Sequence, residues 1–216
     1  MALLLLILGL VMVNRADFSR NYVHDQLLQQ GVAFPAAKDL LPQEKAFTQA
    51  RTGCVLTYAG QAVTTGRQAE CFANEYLGGH LTWLPTKLGM TDYSYLDGKN
   101  YTQLGGVLFP LKAQLAAAQA AGSPDVAKLT QQVNDITEIR QKMFEGTMLR
   151  NALLTSFGFS QLGDAARTAS TISFIVAGLL FVLSIAGFAH AYLTPKTKAF
   201  APPAPAEPSP GELTHA

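Results

Sequence analysis

Residues 168–195, TASTISFIVAGLLFVLSIAGFAHAYLTP, contain no Asp, Glu, Lys or Arg. As a helix, their apolar part, residues 170–193, would be about 36 Å long, against a bilayer hydrocarbon core of about 30 Å. Arg167 precedes this stretch, and Tyr192 and Lys196 mark its far end, where aromatic and basic residues favour the membrane–water interface. The sequence therefore predicts a transmembrane helix over residues 168–195.

A second uncharged stretch, MALLLLILGLVMVN, begins the chain at residues 1–14. Its apolar residues 2–13 span only about 18 Å as a helix, less than a crossing needs. No basic residue precedes them and no small-x-small cleavage site follows, so the pattern is not typical of a signal peptide. We expect a first transmembrane helix over residues 1–14 that is truncated, with the natural chain starting upstream of Met1.

The overall composition excludes several classes of protein. The 216 residues are 49% hydrophobic and 14% charged, whereas a soluble domain carries about a quarter charged residues. A net charge of +1 offers no clustered basic face for nucleic acid. The apolar content argues against a disordered chain, and two cysteines are too few for a disulfide-dense miniprotein.

The flanking charges predict the orientation in a plasma membrane. Lys196 and Lys198 follow the second span closely, which favours a cytoplasmic location for the Pro-rich tail, residues 196–216. With two spans, residues 15–167 then form an extracytoplasmic domain. Arg15 beyond the first span opposes this orientation, but long translocated domains depend little on such charges.

The two cysteines, Cys54 and Cys71, both lie in this outer domain. An even cysteine count outside the cytoplasm predicts one disulfide, worth about 3 kcal/mol in the chain-entropy model. A zinc site is disfavoured because the pair lacks close ligand spacing, and a redox pair is more often Cys-x-x-Cys.

The outer domain is predicted to be all-α with long loops. A helix over residues 17–30 should end at Gly31, and Thr65 with Gln68 forms a capping box that opens another helix, weakened at Gly78-Gly79. Residues 84–109 are rich in Gly, Pro, Asp and Tyr and predict a long loop.

The last part of the domain predicts a helical hairpin that leads to the second span. An Ala-rich helix over residues 111–121 ends at Gly122, and Ser123-Pro124-Asp125 starts the second arm. Gly158, between two phenylalanines, predicts a kink before the membrane.

Candidate catalytic and metal-binding residues are few. His80 with Glu75 is the best metal-ligand pair, but no second ligand lies three or four residues from His80, so a hydrogen-bonded structural histidine is favoured. No phosphate loop, nucleophile elbow or His-Glu-x-x-His run occurs. We therefore expect no enzyme activity and no cofactor.

One face of the second span predicts helix packing. Small residues there allow another helix to approach closely, although membrane helices are rich in such residues generally. The face comprises Ser173, Ala177, Ser184, Gly187 and Ala191.

Short motifs are distributed discontinuously over residues 15–195. They are NYVHDQL (21–27), FP (34–35), YAGQAVTTG (58–66), ANEY (73–76), HL (80–81), GKNYTQL (98–104) and EGTMLR (145–150). In these motifs the chain resembles an uncharacterised actinobacterial family of two-pass membrane proteins. The resemblance implies an outer helical domain between two spans and a longer N-terminus. Some members are described as aromatic ring-opening dioxygenases, but this chain has no His/His/carboxylate pattern for iron, so we do not expect that activity.

Together these features predict a non-enzymatic accessory or scaffold subunit of a larger membrane complex, bound to other subunits through residues 168–195. A second hypothesis is an extracytoplasmic ligand sensor whose pocket is lined by the aromatic-rich residues 72–109. A third is a metalloenzyme that uses His80 and Glu75.

Overall fold

The computed structural model describes residues 1–194, so Pro195 and the predicted tail, residues 196–216, lie outside the described part of the chain. The structure is 80% helical with no strand among the described residues, which confirms the predicted helical class. The helices are α1 Ala2–Gln30, α2 Pro42–Gln49, α3 Cys54–Thr57, α4 Gly66–Cys71, a π-helix Phe72–Leu77, α5 Gly78–Thr82, α6 Leu84–Lys87, a 3-10 helix Thr91–Leu96, α7 Tyr101–Ala120 and α8 Val126–Leu193.

The chain divides into two compact units. One comprises Met1–Val11 and, among the described residues, 169–194; the other is Met12–Thr168. The long helices α1 and α8 contribute residues to both units, whereas α2 to α7 lie wholly within Met12–Thr168.

The first helix is longer than either segment predicted within it. α1 runs without interruption over Ala2–Gln30, joining the apolar residues 2–13 to the helix predicted over residues 17–30. No proline occurs in it, and a helix without proline has no built-in break. It ends before Gly31, whose φ of 62° is the left-handed conformation expected of a glycine after a helix.

Within Met12–Thr168, one hydrophobic cluster surrounds the cysteines. The segment between α1 and α2 is held in place by an isolated antiparallel bridge between Ala33 and Ala62. There the Phe34 N–H donates to the carbonyl oxygen of Gln61 at 2.9 Å. The buried members of the cluster are Val23, Leu27, Phe34, Leu40, Val55, Val63, Ala69, Cys71, Phe72, Ala73 and Leu153.

α4 begins where the sequence predicted, after Thr65, but the helical path extends further than predicted. Thr65 Oγ1 accepts from the Gln68 N–H at 3.2 Å, and Gln68 Oε1 accepts from the Thr65 N–H at 3.1 Å, which is the predicted capping box. The predicted weak end at Gly78-Gly79 is wrong, because the helical path continues through the π-helix into α5. A Cβ on Gly79 would lie 3.0 Å from the Trp83 ring, so this glycine allows close packing.

The long loop predicted over residues 84–109 is also wrong. α6 and the 3-10 helix occupy its first half, and α7 begins at Tyr101 rather than near Leu111. Asn100 caps α7, because its Oδ1 accepts from the Gln103 N–H at 3.0 Å while Gln103 Oε1 accepts from the Asn100 N–H at 2.9 Å. Pro110 lies inside the helix, and its presence concealed the earlier start.

The predicted hairpin of α7 and α8 is present. Gly122 has a φ of 62° in the connection, and Ser123 Oγ accepts from the Asp125 N–H at 3.2 Å. α8 continues through Gly158 without a helix break where a kink was expected. A second cluster closes the hairpin, formed by Leu84, Leu96, Leu104, Leu108, Val133, Ile136, Ile139 and Met143.

Two of the described helices, α1 and α8, are long and apolar enough to cross a membrane. In the most apolar stretch of 18 residues of each helix, only 17% of α1 and 11% of α8 is buried within the protein. The core helix of a soluble protein would be mostly buried, so these exposed apolar surfaces are compatible with membrane insertion.

Candidate functional site

The predicted disulfide is present and brings the start of α3 to the end of α4. Cys54 is the first residue of α3 and Cys71 the last of α4, and their Cα atoms are 6.0 Å apart. Cys71 is buried and Cys54 is half-buried. The crosslink therefore fixes one wall of a cavity that opens beside the cysteines.

The carboxylate of Glu75, which also lines this cavity, accepts hydrogen bonds from two threonines. Thr52 donates to Glu75 Oε1 from its N–H at 3.0 Å and from its hydroxyl at 2.5 Å, and the Thr48 hydroxyl donates to Oε2. The side chains of Cys54, Cys71 and Glu75 each place one potential ligand atom within 4.8 Å of the others. Both sulfurs are in the disulfide, however, and a metal binds the thiolate form of cysteine.

His80 is held by a different carboxylate. Its Nε2 lies 2.5 Å from Glu44 Oε1, which also accepts from Lys87 Nζ at 2.7 Å, while Glu44 Oε2 accepts from the Leu41 N–H at 2.9 Å. The predicted metal pair thus has separate partners: Glu75 bonds to threonines and His80 to Glu44. This arrangement is the hydrogen-bonded histidine favoured from the sequence.

Burial and hydrogen bonding together shift the pKa values of His80, Glu44 and Tyr76. Burial lowers the pKa of His80 below its usual value, although the hydrogen bond to Glu44 opposes that shift. Burial alone would raise the pKa of Glu44, but the hydrogen bonds from Lys87, Leu41 and His80 outweigh it and hold that pKa below its usual value. The ring of Tyr76 packs 4.3 Å from the His80 ring, and burial together with Glu44 raises the pKa of Tyr76.

Two neighbouring cavities in Met12–Thr168 share Tyr58 and Arg67 in their linings. The first, about 590 Å³, lies beside the disulfide and has Glu70, Glu75 and Arg51 in its lining together with Arg67. The second, about 570 Å³, is bounded by α1, the turn before α4, and α8. We call it the Arg67 cavity. Both volumes lie in the range of small-molecule sites, roughly 300–1,000 Å³.

Gly66 sets the position of Arg67 next to α8. A Cβ on Gly66 would lie 3.3 Å from the Phe157 Cα and would overlap the Ser160 side chain. Only glycine allows this approach, which brings the first turn of α4 against α8. Arg67 follows directly and is exposed at the cavity.

The charges around the Arg67 cavity are unbalanced. Its one acidic residue, Asp164, is paired with Arg20 at 2.8 Å. Within residues 1–194, Arg67 makes no hydrogen bond, ion pair or ring contact. The lining therefore presents one unneutralised guanidinium.

The sequence did not identify Tyr58 or Arg67 as candidate site residues. The capping box at Thr65 indicated where α4 begins, but no spacing indicated that its first turn packs on a helix about 90 residues later in the chain. Of residues 72–109, whose aromatic side chains were expected to line a pocket, Asn74 and Glu75 line the cavity beside the disulfide. Phe72 instead packs against Phe34, with ring centroids 5.2 Å apart.

The predicted helix-packing face is divided by the structure. Ser173 and Ala177 are buried, and between them Phe174 packs onto Gly9 of α1, so close that a Cβ there would lie 2.6 Å from its ring. The other members of the face, Ser184, Gly187 and Ala191, are exposed.

No family model, curated protein or solved structure matches this chain. The resemblance to an actinobacterial membrane protein family therefore stays an expectation from the sequence motifs.

Proposed function

We propose that this protein is a non-enzymatic accessory or scaffold subunit of a membrane protein complex. The observation that carries the proposal is the exposed part of α8 over residues 178–193, which is apolar and includes small residues on one face. Ser173 and Ala177 are already buried within the chain, whereas Ser184, Gly187 and Ala191 are available for another helix. Small residues let helix backbones approach closely in lipid, where packing rather than water exclusion drives association.

In this proposal α1 and α8 insert in the plasma membrane, and the disulfide-linked part of Met12–Thr168 lies on the extracytoplasmic side. The Cys54–Cys71 disulfide supports that location, because disulfides persist in oxidising compartments and are rare in the cytosol. The tail, residues 196–216, is then cytoplasmic.

Bulky substitutions on the exposed small residues test the subunit proposal. Ser184→Leu with Gly187→Leu should strongly reduce co-purification of partner subunits from membranes solubilised in mild detergent, because the added side chains prevent close helix approach. Val182→Leu is the matched control: it adds volume at an exposed position on another face of α8 and should leave co-purification unchanged. Equal recovery of partners with the double variant and the wild type would contradict the proposal.

The metalloenzyme hypothesis has less support. His80 and Glu75 have separate hydrogen-bond partners. Within residues 1–194, the one cluster of three potential metal ligands consists of Glu75 and the two cysteines, which could bind a metal only after the disulfide is reduced. Metal analysis of the purified protein discriminates: stoichiometric metal that is lost in Glu75→Gln would favour this hypothesis over the subunit proposal.

A further inference from the structure

We propose that the Arg67 cavity binds a small organic anion, with a phosphate or carboxylate group held by the Arg67 guanidinium. The inference goes beyond the subunit proposal and does not depend on it, because every lining residue belongs to Met12–Thr168. Its first support is the charge balance: Asp164 is neutralised by Arg20, and Arg67 has no counter-charge in the lining. A guanidinium offers parallel N–H donors that match a carboxylate or phosphate.

The second support is a set of polar groups that converge on the same cavity. The side chains of Asn21, His24 and Tyr58 line it, and none of their polar atoms makes a hydrogen bond within residues 1–194. These groups offer an amide, an imidazole and a phenol hydroxyl to the cavity that Arg67 also lines.

The hydroxyl groups of the lining are already used inside the protein. Thr64 and Thr65 both donate to Gln68 Oε1, at 3.2 and 3.1 Å, and Ser160 donates to the Phe157 carbonyl at 2.8 Å. These bonds fix the wall of the cavity. Arg67, Asn21, His24 and Tyr58 are thus the groups left to recognise a ligand.

The size and the apolar surface of the cavity define the rest of the ligand. About 570 Å³ accommodates a small-molecule body attached to the anionic group. Val23 and the ring of Tyr58 supply apolar wall. In the neighbouring cavity beside the disulfide, Glu70 and Glu75 balance the two arginines of the lining, so that cavity has no excess positive charge for an anion. The expected class is therefore a monophosphate or carboxylate carrying a small aromatic or aliphatic group.

Calorimetric titration of the full chain in phosphatidylcholine nanodiscs tests this inference, with phenyl phosphate as probe and benzyl alcohol as its uncharged control. We expect saturable binding of phenyl phosphate at one site per chain and none of benzyl alcohol. Arg67→Gln should weaken binding at least about tenfold, because a charge-assisted hydrogen bond is lost. Arg67→Lys should weaken it less, since the charge remains but the planar fork does not.

The matched control is Arg15→Gln, which removes an exposed guanidinium that lines neither cavity and should leave affinity unchanged. A second arm replaces part of the phosphatidylcholine with phosphatidylglycerol. Phosphatidylglycerol could raise the unfolding temperature of the wild type but not of Arg67→Gln, with no binding of phenyl phosphate. That result would identify a lipid headgroup as the source of the anionic group. Absence of an Arg67-dependent effect in both arms, or equal binding of benzyl alcohol, would overturn the inference.

Discussion

At Gly66, α4 packs so closely on α8 that a Cβ has no room. Gly66→Ala should lower the free energy of unfolding by about 1–3 kcal/mol, because the new methyl group meets Ser160 and the Phe157 backbone. Gly106→Ala is the matched control in α7: a Cβ there has no neighbour within 4 Å, so the change should stabilise by about 0.5–1 kcal/mol. Thermal or denaturant unfolding in detergent measures both, and equal effects of the two variants would contradict the packing at Gly66.

Glu44 and His80 predict how stability depends on pH. Both pKa values are lowered in the folded protein, so each group contributes stability that is present above its unfolded pKa. The contribution of His80 is complete above about 6.5 and that of Glu44 above about 4.5, and each is lost as the pH falls through the folded value. Unfolding free energy should therefore decrease on acidification from neutral pH.

The variant Glu44→Gln separates this effect from general acid sensitivity. It should lower stability at neutral pH, and it should flatten the loss of stability below about pH 4.5, because the titrating carboxylate is gone. Glu138→Gln removes an exposed carboxylate of α8 and should keep the wild-type pH profile. A wild-type profile in Glu44→Gln would mean that Glu44 is not the group responsible.

Among the elements, α3 and α4 depend most directly on a single crosslink. Replacing both cysteines with serine should lower the free energy of unfolding by about 3 kcal/mol, since the unfolded chain gains the freedom of the opened loop. Treating the wild-type protein with a thiol reductant should reproduce the loss, whereas the double variant should not respond to reductant. A reductant effect of equal size in the variant would show that the loss has another origin.

Asn100 caps α7 within the region where a long loop was predicted. Asn100→Ala should cost about 1 kcal/mol, because the N–H of Gln103 loses its acceptor at the helix start. Asn151→Ala, at an exposed position inside α8 whose side chain makes no hydrogen bond within residues 1–194, is the control and should be nearly neutral. Unfolding measurements that show no difference between the two would place the start of α7 elsewhere.

The elements that could be predicted from sequence are those governed by local chemistry. The capping box at Thr65, the glycine end at Gly31 and the restart at Ser123 each depend on neighbours within four residues, and all three are present. The same chemistry at Asn100 was present in the sequence but was outweighed by Pro110, which is tolerated inside α7.

The candidate site was not predictable in the same way, because it depends on tertiary contacts. Arg67 becomes notable only when Gly66 brings α4 against α8 and when Asp164 is found paired with Arg20. Neither fact follows from local sequence patterns. The pairing of His80 with Glu44, 36 residues earlier in the chain, is likewise a product of folding.

Cysteine labelling tests the proposed orientation of the whole chain in the membrane. The two native cysteines are joined, so a single added cysteine reports its own exposure. Lys128→Cys should react with a membrane-impermeant maleimide in intact cells. Ser209→Cys, in the tail outside the described residues, should react only after the cells are permeabilised. Labelling in the opposite pattern would reverse the proposed orientation.

The proposed function makes this chain a subunit of a membrane complex. Native mass spectrometry of the protein, purified from its own membranes in mild detergent, measures this directly. We expect a stoichiometric assembly that contains this chain together with other membrane subunits. A homogeneous monomer under these conditions would contradict it.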